Sequence, residues 1–481
     1  MGLLGARPDV RTEPVPRGFE QLAQRLCLPN SLAAALRLLS LDLHAVGRVI
    51  AILGSDATVD NVAELMNAPT PAVVEIVDGL CRRGLAWSDD VTLRLPEPLS
   101  QHWTNEVGGG RPVAQIAKTV LVDELRITGE ALGIEVVGLR KPELIEKISH
   151  AMSDRGAMIA AIKVLPAPAR QRLDVLRRPL SGFYPGSFGH RGGADPTEAL
   201  IRAGLVPRHH HTPEVPREVA VAAWLADHVI ELHARPDIPP AQADPRTSLD
   251  AAHSAAQELL RTMTTVLDHA AARPLTALKK GGIGARERAR LASRLSGPDD
   301  LLVLCLDLAY AAGLLAQAEA GYAPTRAYPA WRAAEPGHRW ATLAHAWLRL
   351  EFAPTYRVID EDKEQPPPLP LASAAGLIRR AMLTAAGVDA SIRATGQQID
   401  WFAPTHGYPK QERENRGLAA IREAELLGVT GADRVSELGE HLLAVTSPEH
   451  ESTAQDPVAE LAKRCAPLLP EAACTVILQS D

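Results

Sequence analysis

Apolar residues recur three and four positions apart through most of this chain, and strict alternation is confined to short segments, so the pattern predicts mainly helix. A first such stretch is LDLHAVGRVIAIL, residues 41–53. DATVDNVAELM and PTPAVVEIVDGLCRRGLAW follow as second and third helices. After Gly84 the segment LAWSDDVTLRL alternates, with Asp89–Asp90 at its centre, and reads as a β-hairpin. Further on, LLVLCLDLAYAAGLL is apolar on every face, which only a buried helix tolerates. AGYAPTRAY after it reads as a hairpin, and Trp340 and Trp347, seven apart, share one buried face of RWATLAHAWL.

Three helices followed by a hairpin is the winged-helix pattern. The fold class expected is therefore mainly α, a string of winged-helix-like modules with short β-hairpin wings. Residues 1–18, rich in proline and charge, read as a loose arm, and 19–105 as the first winged-helix module. Its third helix carries Glu75 and Asp78 ahead of Arg82 and Arg83, which suits protein docking better than a DNA groove. Residues 106–180 read as a helical segment in which VLVDELRITGEALGIEVVGLRKPELIEKISHAM forms helix, tight turn, helix. Leu121, Leu125 and Leu132 fall on the first helix, Gly133 and Gly138 bracket the turn, and Leu144 and Ile148 fall on the second. This spacing resembles the SAP DNA-binding motif, which would direct Arg140, Lys141 and Lys147 at phosphates.

Residues 181–237 read as a small winged-helix-like module, with His209, His210 and His211 where its wing would lie. Neighbouring residues of a hairpin face opposite ways and no carboxylate or thiol cluster joins them, so no metal is expected. A proline-containing linker over 238–249 leads into a third winged-helix module, 248–358. DEDKEQPPPLPL marks an acidic, proline-rich linker over 359–371. Residues 372–450 form a last winged-helix-like module, in which EAELLGVTGADRVSELGEHLLAV reads as helix, glycine turn, helix, and 451–481 is a tail ending in a strand, TVILQSD.

The candidate chemistry gathers in RPLTALKKGGIGARERARLASRL, residues 273–295. Lys279 and Lys280 flank a turn that Gly282 and Gly284 free, and the helix after it carries Arg286, Arg290 and Arg294 along one stripe. Ala285, Ala289, Leu291, Ala292 and Leu295 are expected to face the core. A glycine turn opening a helix offers unpaired N–H groups and the positive dipole end to an anion, and a nucleic-acid phosphate is the obvious one. A merely solvated basic face would show the same residues. The net charge of −7 excludes a protein that coats nucleic acid with its whole surface, so any such contact is local.

Five scattered cysteines, Cys27, Cys81, Cys305, Cys465 and Cys474, suggest reduced thiols in the cytoplasm rather than a disulfide framework. No apolar run is long enough to span a membrane. A Walker A loop, an H-E-x-x-H helix and a G-x-S-x-G turn are all absent, so neither an enzyme nor a cofactor is expected.

Four segments, RPLTALKKGGIGARERARLA, LIRAGLVP with VPREVA, RWATLAHAWL and REAELLGVTGADRVSELGEHLL, together resemble blocks of actinobacterial XPB-type helicase-associated proteins, in the same order. That resemblance covers about Phe19 to Asp481. It implies a DNA-repair or transcription-linked setting and an XPB-type helicase as partner. Members continue past a strand like TVILQSD into a helicase-related domain, so the chain is expected to be the N-terminal portion of one. The function expected is a non-catalytic, DNA-associated scaffold with weak, sequence-independent DNA contact. A protein-interaction adaptor without DNA contact and a fragment of an ATP-dependent helicase are the alternatives.

Overall fold

The computed structural model describes residues 3–11, 15–108, 110–177, 195–208, 213–279, 282–294, 298–319, 321–356, 359–360, 363–364, 375–408, 410–446 and 456–470. The chain is mainly helical, as its periodicity predicts, and the described strands form four short antiparallel pairs. It divides into two compact units, one of residues 43–233 and one of 1–42 together with 234–481.

In the first unit, the helices Leu41–Leu53, Val59–Leu65 and Thr70–Arg82 precede a hairpin of Trp87–Asp89 with Thr92–Arg94. Asp89 pairs with Thr92. Asp90 takes a left-handed φ of 55°, a conformation that aspartate tolerates better than most residues. The Leu93 N–H donates to Ala57 O, so the backbone just after the short 3-10 turn Gly54–Asp56 is tied to the hairpin. Gly47 stands inside a helix at a propensity cost of about 1 kcal/mol. The reason is Trp103, fully buried on the helix Glu97–Glu106, whose ring would lie 2.2 Å from any Cβ at position 47.

Val122–Ala131 and Lys141–Ser153 form the expected pair of helices, and Leu125, Leu144 and Ile148 are fully buried between them. Gly133 and Gly138 both take positive φ, at 75° and 78°. Leu121 departs from expectation: it precedes the first helix and is exposed. Val136, from the connecting turn, packs over Gly129 instead. Helices Pro196–Arg202 and Arg217–Asp227 follow, while the glycine-rich loop 181–194 and the three histidines lie outside the described residues.

The spine of the second unit is the 28-residue helix Pro245–Ala272. Asp244 caps it by accepting the N–H groups of Arg246 and Thr247. Ala252, Ala256, Leu259, Leu260, Met263, Val266, Leu267 and Ala270 repeat at three and four along its buried side. The apolar helix Asp299–Ala311 packs on it, with Leu301 through Leu306 all buried. The expected linker before the spine is pinned rather than free. Ala241 N–H donates to Asp389 O and Ser391 N–H to Pro239 O, because prolines still offer carbonyls to an extended partner.

Two more expectations need correction. The glycine turn at 428–433 is a two-rung hairpin, Thr430–Gly431 with Arg434–Val435, turned by Ala432 and Asp433 at positive φ. Gly428 and Gly431 let it lie on the spine helix, where a Cβ would meet Ala252 O at 2.3 Å and Ser248 O at 2.2 Å. The arm is not wholly loose either. Leu3–Ala6 and Pro8–Arg11 are helical, and the buried Arg7 guanidinium donates to Asp9 and to Ser31 O. Within 359–371, Ile359–Asp360 pairs with Lys363–Glu364. The terminal segment TVILQSD lies outside the described residues, and Pro457–Cys465, ahead of it, is helical.

A buried ion pair joins three elements of this unit. Arg379 and Glu423 are both 0 % exposed and 2.6 Å apart. Arg379 also donates to the carbonyls of Trp347, Leu350 and Phe352, and Glu423 accepts from Trp347 Nε1 and Thr355 N.

Candidate nucleic-acid interface

Residues 275–279 and 282–284 lie on the two sides of a loop, and the two-turn helix Ala285–Ala292 follows it. Leu275 pairs with Tyr322 of the hairpin Leu315–Ala318/Gly321–Pro324, and Ala277 pairs with Ile283 across the loop. Gly321 permits that approach, since a Cβ there would lie 2.2 Å from Leu275 O. Leu278 N–H donates to Gly282 O, and Gly282 takes a φ of 80°. Gly284 then precedes the helix Ala285–Ala292, and a Cβ on it would press on Leu278.

One amide of the turn is taken. The Gly282 N–H is already donated to the Tyr322 hydroxyl, 2.8 Å away, from the hairpin behind it. That amide is closed to a phosphate at this turn. Replacing Tyr322 with Phe keeps the ring and removes this bond. Urea unfolding of the variant is expected to show a loss of about 0.5–1.5 kcal/mol, with faster hydrogen exchange at the Gly282 amide.

The arginine stripe is also divided. Arg286 is exposed on the helix, and Arg294 is exposed just beyond its end, since the helix stops at Ala292. Neither of them, nor the exposed Lys279, forms an ion pair with a described residue. Arg290 is turned inward and pairs with Glu287, which is nearly buried. Lys280 lies outside the described residues. The helix presents Leu291 to the core and half-buries Ala292, but Ala285 and Ala289 face solvent. The expected apolar face is narrower because so short a helix touches the core along one edge.

His269, on the last turn of the spine helix, faces this cluster. Burial first, then the charges of Arg294, Arg290 and Arg273, hold its imidazole below the ordinary range, with Glu287 opposing them. A histidine whose pKa is depressed on folding favours the folded state above its unfolded value of about 6.5. That contribution is lost as pH falls through the depressed value. Acid unfolding curves of the wild type and of His269→Asn should therefore diverge below about pH 6.5, the variant losing less stability. Parallel curves would exclude this role.

The second basic group lies in the other unit. Arg140 precedes the helix Lys141–Ser153 and is exposed, but its N–H is held by Glu143 at 2.7 Å. Lys141 is half-buried with Nζ donating to Lys118 O at 2.8 Å, so its ammonium caps a neighbouring helix end. Lys147 is exposed. The structure thus leaves Arg140 and Lys147 open and commits Lys141.

Among the described residues no group of three or more His, Cys, Asp or Glu is arranged to hold a metal, and no helix is long and apolar enough to cross a membrane. Cys305 and Cys465 are buried, and burial pushes the Cys465 thiol up to about 12. Comparison of the chain with protein-family models, with curated proteins and with solved structures gives no match.

Proposed function

We propose that this chain is a non-catalytic, DNA-associated scaffold of winged-helix-like modules that holds nucleic acid through phosphate contacts of low sequence preference. The observation that carries the reading is the trio of Lys279, Arg286 and Arg294, exposed on one loop and helix and without acidic partners among the described residues. Three helices and a hairpin, with the backbone after the first helix hydrogen-bonded to the hairpin, support the winged-helix assignment. The pattern stands at 41–94 and again at 245–324. In the second of these the last helix is buried, so its side chains are closed to a groove and the contact falls to the loop and helix before it. The helical pair 122–153 is proposed as SAP-like, with Arg140 and Lys147 as its phosphate contacts. An XPB-type helicase as partner, and a repair or transcription setting, rest on the resemblance of the four sequence blocks.

A gel-shift titration of the full chain tests this. Arg286→Ala with Arg294→Ala is expected to weaken the shifted complex strongly, and Arg290→Ala only slightly. Equal binding by the double variant and the wild type would sink the assignment. A second reading applies to the first module alone. Its hairpin exposes Trp87 and Val91 beside Asp89 and Asp90, and its third helix exposes Val74 and Glu75. An apolar and acidic surface of that kind fits a protein partner better than DNA.

A further inference from the structure

We infer that Tyr310 is a stacking platform for an unpaired nucleobase, so that the preferred ligand of the 245–324 module is single-stranded nucleic acid. This rests on the phosphate-binding reading and adds the class of ligand to it.

Tyr310 ends a helix whose apolar side chains are otherwise almost all buried, yet it is 60 % exposed. Its ring is held in place by a T-shaped contact with the buried Tyr322, centroid to centroid 6.2 Å. Tyr322 is the residue whose hydroxyl fixes Gly282, so one side chain joins the Tyr310 ring to the basic loop. Leu278, exposed on that loop, adds apolar surface, and Lys279 beside it adds positive charge. On the other flank Thr325 Oγ1 donates to Gly313 O at 2.6 Å, which brings Thr325 and the exposed Arg326 to the same helix end.

An exposed aromatic ring with cations on the neighbouring loops is the arrangement that sequence-tolerant single-strand binding uses. Bases stack on the ring while the backbone follows the charges. A duplex keeps its base faces stacked on each other and has none to offer, so the ring selects for unpaired bases. The buried body of the same helix rules out groove entry and leaves its end as the part that meets the ligand.

The experiment is fluorescence anisotropy of the full chain with an oligothymidine of about 20 nucleotides and with a duplex of the same length. Wild type, Tyr310→Ala, Tyr310→Phe and the Arg286→Ala/Arg294→Ala double variant are compared. Tyr310→Ala is expected to lose about 5- to 150-fold in single-strand affinity. Its duplex binding, salt dependence and thermal unfolding should not change, and Tyr310→Phe should bind like the wild type. Unchanged single-strand binding by Tyr310→Ala, with the double variant still weakened, would overturn the stacking site and leave the phosphate reading standing. An equal loss for single strand and duplex would also overturn it, marking Tyr310 as a general support. Failure of the wild type to bind either probe would remove both readings.

Discussion

Replacing Glu423 with Ala is expected to destabilise the second unit by about 3–5 kcal/mol, the cost of leaving a buried charge without its partner. The structure explains why so large a loss follows. Glu423 holds four groups at once: the Arg379 guanidinium, Trp347 Nε1, Thr355 N–H and the Thr355 hydroxyl. Arg379 lies over the Trp347 ring, 5.0 Å from its centroid, and has no solvent to turn to. Its remaining acceptors are the three carbonyls at the end of the helix Pro336–Arg349 and just beyond it. Exchanging both partners together, Arg379→Met with Glu423→Leu, should cost much less than Glu423→Ala or Arg379→Ala alone, because neither charge is then stranded. Chemical unfolding of the three variants reads this directly. Equal losses for the single and paired exchanges would mean that packing, not the ion pair, sets the effect.

The second large effect is on binding. If Arg286 and Arg294 each neutralise a phosphate, each releases counterions worth about 0.9 in the logarithm of affinity per decade of salt. Losing both should weaken binding about 200-fold at 50 mM salt and about 20-fold at 200 mM. Arg290→Ala should leave the salt dependence alone, since its charge is already satisfied by Glu287. The fold ought to suffer more than the binding in that variant. The contrast separates Arg290 from Arg286 and Arg294, all three of which the sequence places on one stripe.

Helices and strong hairpins were legible because local pattern decides them. The run at 301–309 is apolar on nearly every side, and burial is its only stable outcome. The turn at Asp90 announces itself in the residue types. The hairpin at 430–435 did not, because its left-handed positions are filled by Ala432 and Asp433, and alanine carries no turn signal. The Arg379–Glu423 pair was invisible for another reason. The two residues stand 44 apart, and nothing in either neighbourhood marks them as buried.

The candidate site was legible in composition and not in geometry. Its glycines and cations are plain in the sequence, and the loop and helix form where expected. Tyr322 closing the Gly282 amide depends on a contact that residue spacing does not encode, whereas Glu287 holding Arg290 is an i,i+3 helix pair that the spacing does offer. Tyr310 carried one weak signal, an aromatic inside an apolar run in a chain with 4 % aromatic residues.

The most direct test of the account is the salt dependence of nucleic-acid binding by the intact chain. Contacts from Lys279, Lys280, Arg286 and Arg294 predict a slope of about −3.6 in log affinity against log salt, or about 150-fold between 50 and 200 mM. A slope near zero, or one that the Arg286→Ala/Arg294→Ala variant leaves unchanged, would contradict it.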